Sequence, residues 1–449
     1  HHRREISDME VMKKRQAPAR NATQPGRLFS PGGIAGSYSP PFVLPGEHFA
    51  AALGAWVLGC AGLVWVAPEV ASGLFPLPRV IAVTHLFTLG WITLSILGAL
   101  YQFLPVALGV AFRWERLGHV AFWLYAPGLV AFVAGLVWSW PLAMVGGAIG
   151  FTTALLLFLT NLVATLVRAP ERGLTWWALF GAAISLFLTV VLGLMLVANL
   201  RTGFLADRRF VGVGVHAHVA LAGWVMLVVI GVAHRLLPMF LLSHGAREWP
   251  GKAAGWLVGG GVGLLAVLYH SGWFFAQTLP GALIWLGVAI FLVQAAEFYR
   301  TSRKPRLDAG MRLAGAALVH LAIALVLAPL SLSRGVAAPR LAVAYFAAVI
   351  VGGFGLFVAA HHYKIVPFLV WFHRFGPLVG KGRVPQVADL YDGRVAHVAA
   401  ALLALGAAGL VASIVLGAPV AALASAIALL AGAVTEAGQM YAVSRRRPE

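Results

Sequence analysis

The chain has 449 residues, 60% of them hydrophobic and only 11% charged, with a formal net charge of +18. Soluble domains carry about 25% charged residues, so this composition excludes an ordinary soluble domain and places the chain in a bilayer. The basic excess sits in short loops between apolar runs, which argues for membrane topology and lipid contact and against a nucleic-acid partner.

Residues 1–45 are polar, basic and rich in Pro and Gly, and are expected to be a cytoplasmic tail outside the fold. The membrane domain follows, from 46 to 449. A span needs roughly 20 apolar residues, because a helix rises about 1.5 Å per residue through a hydrocarbon core about 30 Å thick. Twelve apolar runs meet that length approximately: 48–67, 79–106, 117–138, 141–167, 174–199, 213–240, 253–270, 274–299, 309–332, 340–370, 392–416 and 418–443. The fold class expected is an all-α integral membrane protein. The loops after even-numbered spans hold Arg113, Arg116, Arg168, Arg172, Arg247, Lys252, Arg300, Arg303, Lys304 and Arg306, so that side and both termini are expected to be cytoplasmic. The single cysteine, Cys60, excludes an intramolecular disulfide and a multi-thiolate cluster, so any haem is held by side chains without covalent attachment.

An internal repeat organises the spans. The second reads "HLFTLGWITLSILGALYQFLPV" from His85 and the sixth "HVALAGWVMLVVIGVAHRLLPM" from His218, sharing H-x4-G-W-x2-L-x3-G-x6-L-P without a gap. The tenth, "AAVIVGGFGLFVAAHHYKIVPF", is a weaker copy with Ala347 in place of the histidine. The repeat predicts three four-helix units, at about 46–170, 171–305 and 306–449. Its glycines lie round the helix from the histidine and are expected to serve close packing.

Intramembrane ionisable groups are costly, which gives them a functional prior. His85 and His218 stand at equal depth, where facing helices can ligate one haem iron axially. His216 lies about 200° round the helix from His218, using about 100° per residue, and points to a second space. His270, His320 and Tyr345 are candidates to line that second metal or substrate pocket. Arg79, Arg201, Arg208 and Arg209 lie just outside spans two and six, either as counter-ions for haem propionates or as ordinary loop charge. An inner layer holds His234, His361, His362 and His397 with Tyr101 and Tyr363. It is either a second metal site, centred on His361-His362, or a polar belt at the helix ends. Glu436, Asn161 and Gln294 form a proton path or polar packing.

These repeats and histidines resemble subunit I of the haem-copper oxidase superfamily, whose fold is twelve helices in three arcs with pseudo-threefold symmetry. "HLFTLGW" and "HAHVALAGW" look more like its divergent relatives, the oxidase subunit I-like and NnrS-type proteins, haem- and copper-containing membrane proteins of the bacterial nitric oxide response. The resemblance covers about residues 46–445. It implies one haem b or two, copper or another non-haem metal, a diatomic gas ligand (nitric oxide or oxygen), a cytochrome or quinol electron donor, and a bacterial-type inner membrane. It makes His85 a low-spin haem ligand. The sequence departs from the oxidases in carrying H-x-H on span six rather than ten. It also departs in offering His270 alone where the oxidases have a His-His pair, which argues against a typical proton-pumping oxygen reductase. Two other classes remain: a metal-handling or transport protein using the inner histidines, and a cofactor-free accessory subunit.

Overall fold

The computed structural model describes residues 42–244, 247–269, 274–332, 335 and 337–448, with side chains from 278 onward in the helix that begins at 274. Among them are twelve helices long and apolar enough to cross a membrane. They are α1 (Val43–Ala71), α2 (Pro78–Leu108), α3 (Glu115–Val137), α4 (Pro141–Val167), α5 (Leu174–Thr202), α6 (Ala206–Leu241), α7 (Trp249–Leu268), α8 (Thr278–Arg300), α9 (Ala309–Ser331), α10 (Ala338–Leu378), α11 (Gly393–Leu416) and α12 (Pro419–Arg445). No β-strand occurs among the described residues, only an isolated bridge between Val379 and Gly382. In hydrocarbon every backbone polar group must bond internally, and a helix does this within one segment.

All twelve predicted spans appear, with shifted ends. Pro68 and Glu69 mark the end of the first apolar run, yet α1 continues to Ala71 because Glu69 finds a partner in Arg79. At its other end α1 takes in Glu47, which pairs with His119 of α3 at 2.8 Å.

The helices differ in what surrounds them. The most apolar windows of α2, α6 and α10 are each 67% buried, against at most 50% for any other helix, so these three form the inside. The outer helices turn large apolar side chains outward, among them Trp123, Val130, Leu142, Val293 and Leu405. Their packing follows a cycle. α1 lies on α2, α5 on α6 and α9 on α10; α3 pairs with α4, α7 with α8 and α11 with α12; α4 meets α5, α8 meets α9, and α12 returns to α1.

The three inner helices share one irregularity. Directly after His85, His218 and Ala347, each runs for eight residues as π-helix: Leu86–Thr93, Val219–Met226 and Ala348–Gly355. Each then continues as a 15-residue α-helix. The repeated glycine inside each π segment is a point of close approach. A Cβ on Gly90 would lie 2.6 Å from the Ala55 Cβ, one on Gly223 2.6 Å from Ser185, and one on Gly352 2.3 Å from the His320 ring. The expectation that the repeat's glycines serve packing is thus met, and each packs on the helix that precedes it.

The repeat's tryptophans bridge neighbouring π segments. Trp91 Nε1 donates to the Gly355 carbonyl at 3.0 Å, and Trp224 Nε1 donates to Thr93 Oγ1 at 3.3 Å. Thr93 and Gly355 each close their π segment, so the two bonds are equivalent. A second recurring device lies at the end that carries the basic loops. Asn161 of α4 brackets Trp114 with bonds of 2.8 and 3.1 Å, Gln294 of α8 donates to the Arg247 carbonyl at 2.7 Å, and Gln439 of α12 donates to the Asp392 carbonyl at 2.8 Å. In each case an amide holds the backbone that leads into α3, α7 or α11. Asn161 and Gln294 are therefore packing groups.

Asp308 fastens the basic end. It caps α9 by accepting from the Met311 N–H at 3.1 Å and pairs with both Lys304 and Lys364, the latter from α10. Partial burial pushes its carboxyl up, but the two lysines outweigh that and hold it at about 2.

Candidate outer histidine site

His85, His216 and His218 stand at the end opposite the basic loops, in the α-helical turns just before the π segments. His85 Nδ1 donates to the Ile81 carbonyl at 2.8 Å and His218 Nδ1 to the Gly214 carbonyl at 2.7 Å. That bond places the proton on Nδ1 and leaves Nε2 with a lone pair, the arrangement a metal-ligating imidazole needs. The bond alone does not identify a ligand, since His48, His320, His361 and His397 make the same one. Position separates them.

The H-x-H spacing sends its two rings apart, as helix geometry requires. His216 turns toward α5. Its ring lies against Gly193, it hydrogen-bonds toward the Thr189 carbonyl, and it is within electrostatic reach of His85. Its Nδ1 has no partner among the described residues. His85 itself meets Phe132 of α3 at 5.3 Å. His218 turns toward α10. Its Nε2 lies 3.3 Å from the Tyr345 hydroxyl, which donates to it, and its ring faces Tyr345 at 5.8 Å and 19°.

Among the described residues no ring or hydrogen-bond contact joins His85 to His218 or to His216: His85 meets Ile81 and Phe132, and His218 meets Tyr345. His85, His216, His218 and Tyr345 are each half-buried.

Arg79 is already answered, paired with Glu69 and lying over the Trp65 ring at 5.8 Å. Arg201, Arg208 and Arg209 are exposed at the same end, Arg209 over the Phe210 ring at 4.6 Å. Phe210 in turn meets Phe75 at 5.9 Å, joining the approach to α2 with the start of α6. His270 lies outside the described residues.

His320 is buried at the α9–α10 contact, with Nε2 unpartnered. His361 and His362, adjacent on α10, face different surroundings. His362 contacts Trp91 at 4.6 Å and Phe49 at 5.1 Å, with Nε2 3.1 Å from Ser95 Oγ. His361 faces Phe240 of α6 at 6.0 Å. The two rings thus have different neighbours. Among the described residues, no three His, Cys, Asp or Glu side chains gather as a metal-holding group.

His234 lies 3.4 Å from Gln294, and Tyr363 donates to Gln439 at 3.0 Å, so both lean on the amides that hold the basic-end loops. Tyr101, at the same register, has no hydroxyl partner among the described residues and packs against His48 at 5.3 Å. His48 and the Glu47–His119 pair escaped sequence reasoning. The one signal was Gly98, whose Cβ would lie 2.9 Å from that of His48; a repeated glycine announces a close neighbour but not its identity.

No family model matches the sequence, and no curated protein matches it. The reading of the site rests on its residues.

Proposed function

We propose that the chain is a haem b-binding membrane protein built from three four-helix units about a pseudo-threefold axis, with both termini cytoplasmic. On this reading it serves electron transfer or the chemistry of a diatomic gas, nitric oxide or oxygen, in a bacterial-type inner membrane. The observation that carries the reading is the histidine group at the outer end: His218 accepts from the Tyr345 hydroxyl at 3.3 Å, and His216, its Nδ1 without a partner among the described residues, lies within electrostatic range of His85. We take His85 and His216 as the pair that would hold one haem. The three π segments, the two equivalent indole bonds and the three amide clasps support the same units.

The residues present fit a haem. His85 offers an Nε2 lone pair fixed by its Nδ1 bond, and His216 Nδ1 is a buried ring nitrogen without a partner. Bound there, haem supplies an iron centre for one-electron transfer. The chain's part is to hold the His85 tautomer through Ile81, to keep the two imidazoles in a water-poor interior, and to present His218 with the Tyr345 phenol in the adjoining groove, where a gas ligand could meet a hydrogen-bond donor. Arg201, Arg208 and Arg209, exposed at the same end, are the cations proposed to meet haem carboxylates. A cytochrome or quinol would deliver the electrons.

Protein from haem-replete cells, purified in detergent with its iron quantified, is expected to show Soret and α-band absorption. His85→Ala and His216→Ala should each abolish the low-spin signal, whereas His218→Ala should leave it and change any response to nitric oxide. Loss of the signal in His218→Ala with retention in His216→Ala would restore the His85–His218 pairing. Absence of haem from folded wild-type protein would overturn the reading and favour a cofactor-free subunit.

A further inference from the structure

Glu436 lies in the middle of α12 and is entirely buried, the only fully buried carboxyl among the described residues. Its Oε2 accepts a hydrogen bond from Trp56 Nε1 of α1 at 3.1 Å, and its Oε1 has no partner. The groups facing it are Trp56 and Cys60 from α1 and Tyr363 from α10, while α11 brings apolar Leu403 against the neighbouring Gly432. Among the described residues no cationic side chain faces it. An ionised carboxylate with no counter-charge costs many kcal/mol in such surroundings, and proteins avoid the cost by keeping the acid neutral. Since Oε2 is the acceptor for Trp56, the proton belongs on Oε1.

A ladder of polar groups leads from this carboxyl to the basic end. Gln439 is three residues on along α12, hence on the same face one turn away. Its Oε1 accepts from the Tyr363 hydroxyl at 3.0 Å and its Nε2 donates to the Asp392 carbonyl at 2.8 Å. Asp392 is exposed and, with Gly393, Arg394 and His397, lines a depression open to solvent. Among the described residues the other two amide clasps have no buried carboxyl beside them: Asn161 brackets Trp114, and Gln294 meets His234. The α12 clasp alone leads inward to a buried acid.

We propose that Glu436 is a neutral, proton-exchanging carboxyl, a proton-binding site within the membrane that communicates with water at the basic end through Tyr363 and Gln439. The exchange is balanced: one proton leaves Oε1 for the aqueous phase as another replaces it, with no net change in charge. Nothing in it depends on a haem.

Infrared spectroscopy of the full chain in lipid nanodiscs tests it. At neutral pH the protein should show a protonated-carboxyl C=O band that shifts on transfer to D₂O and is missing from Glu436→Gln. Trp56→Phe should raise the frequency of that band by removing the Nε1 bond, which assigns it even where Glu436→Gln does not fold. Tyr363→Phe should slow its deuteration by tenfold or more. A carboxylate signal for Glu436 at neutral pH would overturn the neutral acid. A band that never deuterates, or one deuterating at the wild-type rate in both Tyr363→Phe and Gln439→Leu, would overturn the exchange route.

Discussion

Replacing Gly223 by Ala tests whether the repeat is a packing register. The new Cβ would stand 2.6 Å from both Cβ and Oγ of Ser185. Carbon atoms in contact prefer about 3.5–4.0 Å, so α5 and α6 would have to part by about 1 Å across their π-segment contact. Forcing a methyl into a packed interface costs about 1–3 kcal/mol. A value near 2 kcal/mol is roughly a 30-fold change in the folding equilibrium. Gly260→Ala supplies the control, since nothing lies within 4 Å of its would-be Cβ. Removing a helix-interior glycine there should stabilise by about 0.5–1 kcal/mol. The assay is denaturation in mixed micelles, following the retained monodisperse fraction. The decisive measurement is rescue: Ser185→Gly, itself costing about 0.5 kcal/mol in helix propensity, should recover at least half the loss in the double variant. Equal behaviour of Gly223→Ala and Gly260→Ala, or a double variant no better than the sum of the two singles, would refute the contact and the register built on it.

Acid should weaken the protein through Asp308. Its carboxyl is held at about 2, against an ordinary 3.8, so its contribution is fully present above pH 3.8 and is lost as pH falls toward 2. That contribution is at most about 2 kcal/mol and is reduced by solvent screening of this partly exposed group, and Asp308→Asn should show a flatter decline in melting temperature between about pH 4 and pH 2 than wild type. Trp91→Phe should destabilise more than Trp224→Phe, by about 1 kcal/mol in the same micelle assay. The first removes a donor from a backbone carbonyl fixed in the helix, while the second removes a donor from a hydroxyl that can rotate to another partner. Arg79→Gln should leave haem content unchanged, because Glu69 already holds that guanidinium; a clear fall in the haem-to-protein ratio would return Arg79 to the site.

How much could be read in advance differs between fold and site. Span number follows from local composition, so twelve apolar runs became twelve helices. The pairs Gly90/Gly223 and Trp91/Trp224 were legible as a repeat because identity at fixed spacing needs no contact map. What the tryptophans touch was not legible: Trp91 reaches a residue 264 positions away, and no local pattern encodes that partner. Glu69, placed after a proline, looked like a loop residue until Arg79 met it. The inner histidines were ambiguous for the same reason, since His234 and His361 differ chiefly in the helix each one faces.

The sequence by itself determined that this is a twelve-helix, all-α membrane chain with histidines concentrated on a repeated inner helix, because hydropathy and periodicity are properties of the chain alone. Helix geometry likewise determined that His216 and His218 diverge. Only the tertiary structure decided which neighbour each of them meets. His218 meets Tyr345 of α10 at 3.3 Å, while the His216 ring lies against Gly193 of α5.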